Sequence, residues 1–326
     1  MHAAVVESYN EPPVLQEMPE PKRRSGQALV KVTAATLNPV ELSVASGRFY
    51  LGPPMLPYVA GMEGAGVVLE GETLQAGQRI RFFQDQAAYG ETGAMAELTA
   101  VDEAKAVEVP DAVPDALAAA LGVSAVAGWL SVEWRGALRP GEKVLVLGAS
   151  GAVGQVAVQA AKLLGAGRVV AAGRHPDALR RAQALGADAT VQIAADATPE
   201  KLAEAFREAA DGPLDLVVDP LWGLPALGAC LAAAQGGRIV NLGQSAGAEV
   251  PFPSGLLRGK MLTLTGYANF FVPAPIMGAA CRRMLRHAAE GRLTADYEVI
   301  PLTEVAVAWR LQATSPHRKL ILDPSR

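Results

Sequence analysis

The chain has 326 residues, half of them apolar, which is enough for two domains with sizeable cores. A formal net charge of -4 and a sequence pI near 5.7 argue against nucleic acid as the main partner, and the short basic clusters at Lys22–Arg24 and Arg282–Arg286 read as solvated faces. The two cysteines, Cys230 and Cys281, have no cysteine or histidine at ligand spacing, so neither a metal site nor a disulfide framework is expected.

Met1 to Glu7 lacks a basic stretch before an apolar run, so no signal peptide is expected and the default location is cytoplasmic. Gln27 to Ala35 alternates as a strand, with Ala28, Val30 and Val32 on one face, before Thr36-Leu37-Asn38-Pro39-Val40 breaks into a loop. Further strands are expected at Gly61–Val68, Gly77–Phe82 and Ala94–Ala100, which makes residues 1–114 mostly β. Asp115 to Arg135 is helical in composition, with a break between two helices at Gly122 to Ser124. The uncharged runs Ala116–Val132 and Pro220–Gly237 are interrupted by glycine, serine or proline and fall short of the roughly 20 apolar residues of a membrane span, so no membrane association is expected.

The stretch Lys143 to Gly165 organises the rest. Val144-Leu145-Val146-Leu147 reads as a strand buried on both faces, and Ala152 to Leu164 as a helix with Gly165 just past its end. Between them Gly148, Gly151 and Gly154 stand three apart, which permits a tight turn, close approach of a pyrophosphate and close helix–strand packing. The amides of Ser150, Ala152 and Val153 are then available to phosphate at the helix start. Strands at Arg168–Gly173, Thr190–Ile193, Leu214–Asp219 and Arg238–Leu242 alternate with helices opened by Pro176 and spanning Pro199–Ala210 and Leu224–Gln235. This is the pattern of a Rossmann dinucleotide-binding domain, a doubly wound parallel sheet. NAD-preferring domains place an acid at the end of the second strand; here that end reads Ala172-Gly173-Arg174-His175, with no acid before Asp177. Arg174 can pair with a 2'-phosphate and His175 can stack on adenine, so NADPH is expected ahead of NADH; the alternative is a surface arginine at a strand end.

Beyond Leu242 the expected elements are a strand at Met261–Tyr267, a helix at Pro275–Ala289, a strand at Tyr297–Ile300, a helix at Thr303–Gln312 and a strand at Lys319–Leu322. The segments Asn38-Pro39-Val40-Glu41, Gly61-Met62-Glu63-Gly64-Ala65-Gly66-Val67, Gly93 to Glu97, Gly148 to Gly154, Leu185 to Asp188 and Glu290 to Leu293, in this order, resemble the medium-chain dehydrogenase/reductase superfamily, in its zinc-free quinone oxidoreductase branch. The resemblance covers essentially the whole chain. It implies an α/β protein with a catalytic domain that is a partly open, GroES-like β-barrel built from both chain ends, residues 1–114 and 260–326, around a nucleotide domain at 115–259.

Where zinc-dependent members carry a cysteine and a histidine ligand, this chain has Asn38 or its neighbours and Met62, so no zinc is expected. By the same resemblance Asn38 contacts the nicotinamide ribose or substrate, its alternative being a loop cap before Pro39, while Leu242, Gly243, Asn269 and Phe270 line the nicotinamide pocket or simply pack. A tyrosine common in the branch is replaced by Phe49, which leaves Tyr50 as proton donor or aromatic cap and Tyr267 as a second candidate or a core-packing residue. The implied activity is metal-independent hydride transfer from NADPH to a small-molecule quinone or α,β-unsaturated carbonyl, in a homodimer paired through the strand at Met261–Tyr267. A zinc-free enoyl-thioester reductase and a non-catalytic NADPH-binding redox sensor stay open as alternatives.

Overall fold

In the computed structural model, residues 1–49, 52–84 and 92–326 are described. The chain opens with strands β1 (His2–Val6), β2 (Val14–Glu17) and β3 (Gln27–Leu37), helix α1 (Pro39–Ala45), and strands β4 (Tyr58–Val59), β5 (Glu63–Glu70), β6 (Arg79–Phe83), β7 (Leu98–Asp102) and β8 (Ala106–Glu108). Helices α2 (Asp115–Ala120) and α3 (Val123–Leu130) follow, then β9 (Lys143–Leu147), α4 (Ala152–Leu163), β10 (Arg168–Gly173), α5 (Pro176–Ala184), β11 (Ala189–Gln192), α6 (Pro199–Ala210), β12 (Leu214–Asp219), α7 (Gly223–Ala232), β13 (Ala233–Asn241), α8 (Ser254–Lys260) and β14 (Thr263–Gly266). The chain closes with α9 (Ala274–Ala289), β15 (Tyr297–Pro301), α10 (Val305–Ala313) and β16 (Lys319–Asp323).

Two compact units result, Met1–Val123 with Val272–Arg326, and Ser124–Phe271. The first is built on β3. Its N-terminal half alternates, burying Ala28, Val30 and Val32, while from Ala34 onward both faces are covered. One strand can therefore serve several neighbours: β3 pairs antiparallel with β5, with β7 through Gln27–Lys31, and with β16 through Ala35–Leu37. The resulting sheet runs β15-β16-β3-β5-β6-β8, with β7 alongside β3, and a smaller sheet runs β2-β1-β4. Both chain ends thus contribute to one β unit, the GroES-like arrangement.

The second unit is a parallel sheet of order β11-β10-β9-β12-β13-β14. Strand β9 is central because Val144 to Leu147 bury both faces, and Leu145, Leu147, Val170, Phe206, Leu214 and Ile239 share one core cluster. Strand order reverses between β9 and β12, which places the switch point of the doubly wound fold beside the glycine turn.

The expected domain boundaries shift. Pairing of β14 with β13 carries the nucleotide sheet to Gly266, so the second unit ends at Phe271 rather than at 259, and it begins at Ser124 because α2 packs on β3 and β5 of the first unit. The helix expected to reach Gln235 stops at Ala232, since Ala233 already pairs with Leu214 and the register shifts there before resuming at Arg238. Asn38–Val40 is a helix start rather than a loop, with Pro39 in the first turn of α1. Strands β1 and β2 and helix α8 carry no clear periodic signal in the sequence.

Candidate functional site

In the second unit the carboxyl ends of parallel strands β9, β10, β12, β13 and β14 share one edge. Gly148, Ser150 and Gly151 form the turn after β9, Gly151 is the N-cap residue of α4, and Ala152, Val153 and Gly154 are its first residues. A Cβ on Gly154 would lie 2.4 Å from the Gly148 carbonyl oxygen, so only glycine permits this approach of helix to turn. The turn is fixed by the Gly151 N–H donating to the Gly148 carbonyl at 3.0 Å and the Ala149 N–H to Ala172 at 3.0 Å. A helix start with backbone N–H groups left by the ladder is suited to a phosphate.

Gly173 closes β10, and Arg174 and His175 follow it, both exposed, with His175 at the N-cap position of α5. Leu242 and Gly243 leave β13 half-buried, Leu242 donating its N–H to the Asp219 carbonyl at 2.9 Å. Asn269 and Phe270 lie in a 3-10 turn after β14, where buried Asn269 accepts the Tyr267 hydroxyl at 2.6 Å; Tyr267 also meets Trp134 edge to face, with centroids 6.4 Å apart. The predicted cofactor residues therefore all lie on the nucleotide unit, at or just beyond strand ends.

Two residues at this edge escaped the sequence reading. Asp219, fully buried at the end of β12, accepts the N–H groups of Leu221 and Trp222 at 2.9 and 2.8 Å through Oδ1 and the Asn241 side-chain amide at 2.9 Å through Oδ2. Burial pushes its carboxyl above the ordinary range, against the pull of those donors. Trp222 has φ 57° and ψ -159°, a region that is close to glycine-only and costs about 1–3 kcal/mol for other residues.

The first unit holds a different cluster. Glu41, Glu63, Arg81 and Lys319 are each 4% exposed or less. Glu63 Oε1 accepts the Thr36 hydroxyl at 2.6 Å and the Asn38 amide at 3.1 Å, and lies 3.6 Å from Lys319 Nζ. Glu63 Oε2 accepts the Arg81 guanidinium at 3.1 Å and the Val123 N–H at 2.5 Å. Lys319 also donates to Asn38 Oδ1, and Arg81 to Cys281 Sγ at 2.8 Å. Glu41 Oε2 accepts the Asn38 backbone N–H at 2.8 Å, while its Oε1 accepts the Asn38 side-chain amide at 3.2 Å and the Met62 N–H at 3.4 Å. Burial pushes the Glu41 carboxyl up to about 7, against the attraction of Lys319 and with help from the Glu63 charge. Burial acts on Glu63 in the same sense, but Lys319 and Arg81 outweigh it and hold that carboxyl below its ordinary value. Lys319 is itself lowered by burial in spite of both carboxylates.

Asn38, expected at the nicotinamide ribose or substrate, is a buried member of this cluster and stands at the N-cap position of α1, its backbone N–H donating to Glu41. Tyr50 lies outside the described residues. Glu63, on its glycine-rich strand, is expected from the sequence to serve hydrogen bonding rather than catalysis, whereas Glu41, Arg81 and Lys319 were missed because they are scattered from position 41 to position 319; the available signal was a charge flanked by apolar residues in a strand, as in Ile80-Arg81-Phe82. The donor set does not suit zinc. The Asn38 carbonyl oxygen and both Glu63 oxygens already face Lys319 and Arg81, cations that would repel a divalent ion, and the Met62 thioether is a weak ligand.

An open parallel sheet with a glycine-rich phosphate turn at its switch point, joined to a GroES-like β unit, defines a dinucleotide-dependent oxidoreductase. Residues 24–111 match the alcohol dehydrogenase GroES-like domain and residues 152–275 match zinc-binding dehydrogenase. The chain is 28% identical over 315 residues to bovine (Bos taurus) quinone oxidoreductase-like protein 2, covering 93% of this chain and 86% of that protein. It is 30% identical over 319 residues to a phenolphthiocerol/phthiocerol polyketide synthase polypeptide of Mycobacterium tuberculosis, covering 93% of this chain but only 14% of that much longer protein. The quinone oxidoreductase of Thermus thermophilus, solved also in complex with NADPH, superposes with a TM-score of 0.82 at 29% identity, over 99% of this chain and 100% of that one. The chain belongs to the medium-chain dehydrogenase/reductase superfamily, in its quinone oxidoreductase branch.

Proposed function

We propose that the protein is an NADPH-dependent, metal-independent reductase that delivers hydride to quinones or α,β-unsaturated carbonyls. The observation that carries this reading is the pairing of a phosphate turn at Gly148–Gly154 with an exposed Arg174, and no acid, at the end of β10. The open helix start at Gly151, where a Cβ would meet nothing closer than the Gly148 carbonyl oxygen at 3.6 Å, fits a pyrophosphate, and Arg174 fits a 2'-phosphate as a charge-assisted, bidentate partner. When bound, the nicotinamide supplies the hydride. The chain's own residues bind and orient: the turn amides hold the phosphates, Arg174 selects the phosphorylated ribose, and Leu242, Gly243, Asn269 and Phe270 wall the pocket at the far strand ends. The superposition on an NADPH-binding quinone oxidoreductase supports the same reading.

Metal independence is supported by the side chains at the places where zinc-dependent members carry ligands: Asn38, whose side-chain oxygen already accepts from Lys319, and Met62, a weak ligand. Without a Lewis acid to ionise an alcohol, an acceptor that is already electrophilic is the easier substrate. Strand β14 is a sheet edge with Leu264 exposed, and it pairs with its copy to form a homodimer. Among the described residues no helix is long and apolar enough to cross a membrane.

A second acceptor class is enoyl thioesters. NADPH oxidation followed with 9,10-phenanthrenequinone, a 2-alkenal and crotonyl-CoA separates the classes. Turnover of the first two supports the proposal, turnover of the thioester alone selects the second reading, and tight binding without turnover of any contradicts both.

A further inference from the structure

We propose that Asp219 is the positioning residue of the dinucleotide crevice, its carboxylate tying the ends of β12 and β13 into one rim and holding Trp222 in the backbone conformation that this rim requires. The proposal rests on the reading of this edge as the NADPH site.

Trp222 is the starting observation. Its backbone occupies a region that side-chain-bearing residues avoid, and its indole is only half-buried, so burial in a core does not account for keeping it there. What holds it is local. One oxygen of Asp219 accepts two successive N–H groups, those of Leu221 and Trp222, which fixes the turn on both sides of the peptide that leads into Trp222.

The second oxygen reaches across to the neighbouring strand. It accepts the side-chain amide of Asn241, and the same nitrogen donates to the Gly243 carbonyl at 2.9 Å. The Asp219 main-chain carbonyl meanwhile accepts Leu242. The two loops are drawn so close that a Cβ on Gly243 would sit 2.5 Å from the Pro220 carbonyl oxygen. On the other side, Pro220 and Leu221 approach to 3.1 Å the point where a Gly148 side chain would begin, so this rim is continuous with the phosphate turn. Asp219 therefore fixes the loop after β12, which borders the switch point between β9 and β12, and ties the loop after β13 to it.

The partners that surround Asp219 here are neutral amides. A buried carboxylate without a countercharge is an unfavourable way to brace a turn. The three charge-assisted bonds that the Asp219 side chain accepts offset part of that penalty and, being stronger than neutral ones, hold the turn and the Asn241 amide in place.

The test is a double-variant cycle on NADPH affinity, measured by calorimetry with each protein held well below its unfolding midpoint. Asp219→Asn presents a second donor to Asn241 and removes the charge, and it is expected to weaken NADPH binding about tenfold. In a Trp222→Gly background, where glycine adopts the same conformation unaided, the same change is expected to cost about twofold or less. If Asp219→Asn does not fold, Asn241→Leu removes the donor that orients the carboxylate and is carried through the same cycle. Wild-type protein that binds neither NADPH nor NADH overturns the cofactor reading itself. Wild-type binding with no loss in Asp219→Asn, or an equal loss in both backgrounds, overturns the positioning role alone.

Discussion

Around Gly148–Gly154 backbone N–H groups and an exposed arginine are left at the edge of a parallel sheet, whereas around Glu63 the side-chain charges of three strands and one helix are turned inward onto one another. The first arrangement holds polar groups ready for something that is not the protein. The second consumes them: Lys319 meets Asn38 and Glu63, Arg81 meets Glu63 and Cys281, and Glu41 braces the backbone at Asn38 and Met62. A conspicuous set of charges is therefore spent within the protein, whereas the proposed dinucleotide site is marked by glycines and by what a strand end lacks.

Breaking the inward cluster has the largest expected effect. Lys319→Ala leaves Glu63 with Arg81 as its cationic partner and removes the donor to Asn38 Oδ1, and it should cost about 3–5 kcal/mol in urea unfolding. Adding Glu63→Gln should recover part of that loss, since the carboxylate left behind is the source of the penalty. A loss below about 1 kcal/mol would place this cluster with ordinary surface ion pairs.

The same cluster makes stability depend on pH in an unusual direction. The Glu41 carboxyl has an ordinary value of 4.5 and is pushed up to about 7 in the folded protein. Between those values the folded state holds a proton that the unfolded state has released, so Glu41 makes the protein less stable as pH rises from about 4.5 to 7, by up to about 3 kcal/mol, and adds no further change above that. Glu41→Gln should flatten this segment of the stability–pH curve, and a segment unchanged in the variant would exclude Glu41 as its source.

How much of the molecule is legible in its sequence follows from locality. The β9–turn–α4 unit and the alternation around it are readable because strand period, helix period and glycine spacing all lie within about 20 consecutive residues. The absence of an acid before Asp177 is equally local. The inward cluster is not readable: Glu63 and Lys319 are brought together by the pairing of β3 with both β5 and β16, and no periodicity in either segment announces that pairing. Asn38 stands out beside Pro39, but that motif does not distinguish a ligand contact from a cap. Asp219 reads only as the end of a strand, because the strain at Trp222 that gives it meaning is a backbone property without a sequence signature.

On the outward-facing side the effects are smaller in energy and more specific. Arg174→Ala should weaken NADPH binding about 10- to 100-fold and leave NADH nearly unchanged, by equilibrium titration of both coenzymes. Equal weakening of both would make Arg174 a structural residue. The smallest change in folding energy is expected from Leu264→Lys, within about 0.5 kcal/mol, yet it places a charge on the exposed edge strand β14 and should convert the proposed dimer to a monomer in sedimentation.

The most direct measurement of the outward-facing site is the rate of NADPH oxidation with 9,10-phenanthrenequinone, compared with that of NADH, before and after exhaustive chelation and dialysis. Turnover with NADPH in preference to NADH is expected, at a rate that chelation does not change. Loss of turnover on chelation with recovery on added zinc, or a preference for NADH, would contradict a metal-independent NADPH reductase.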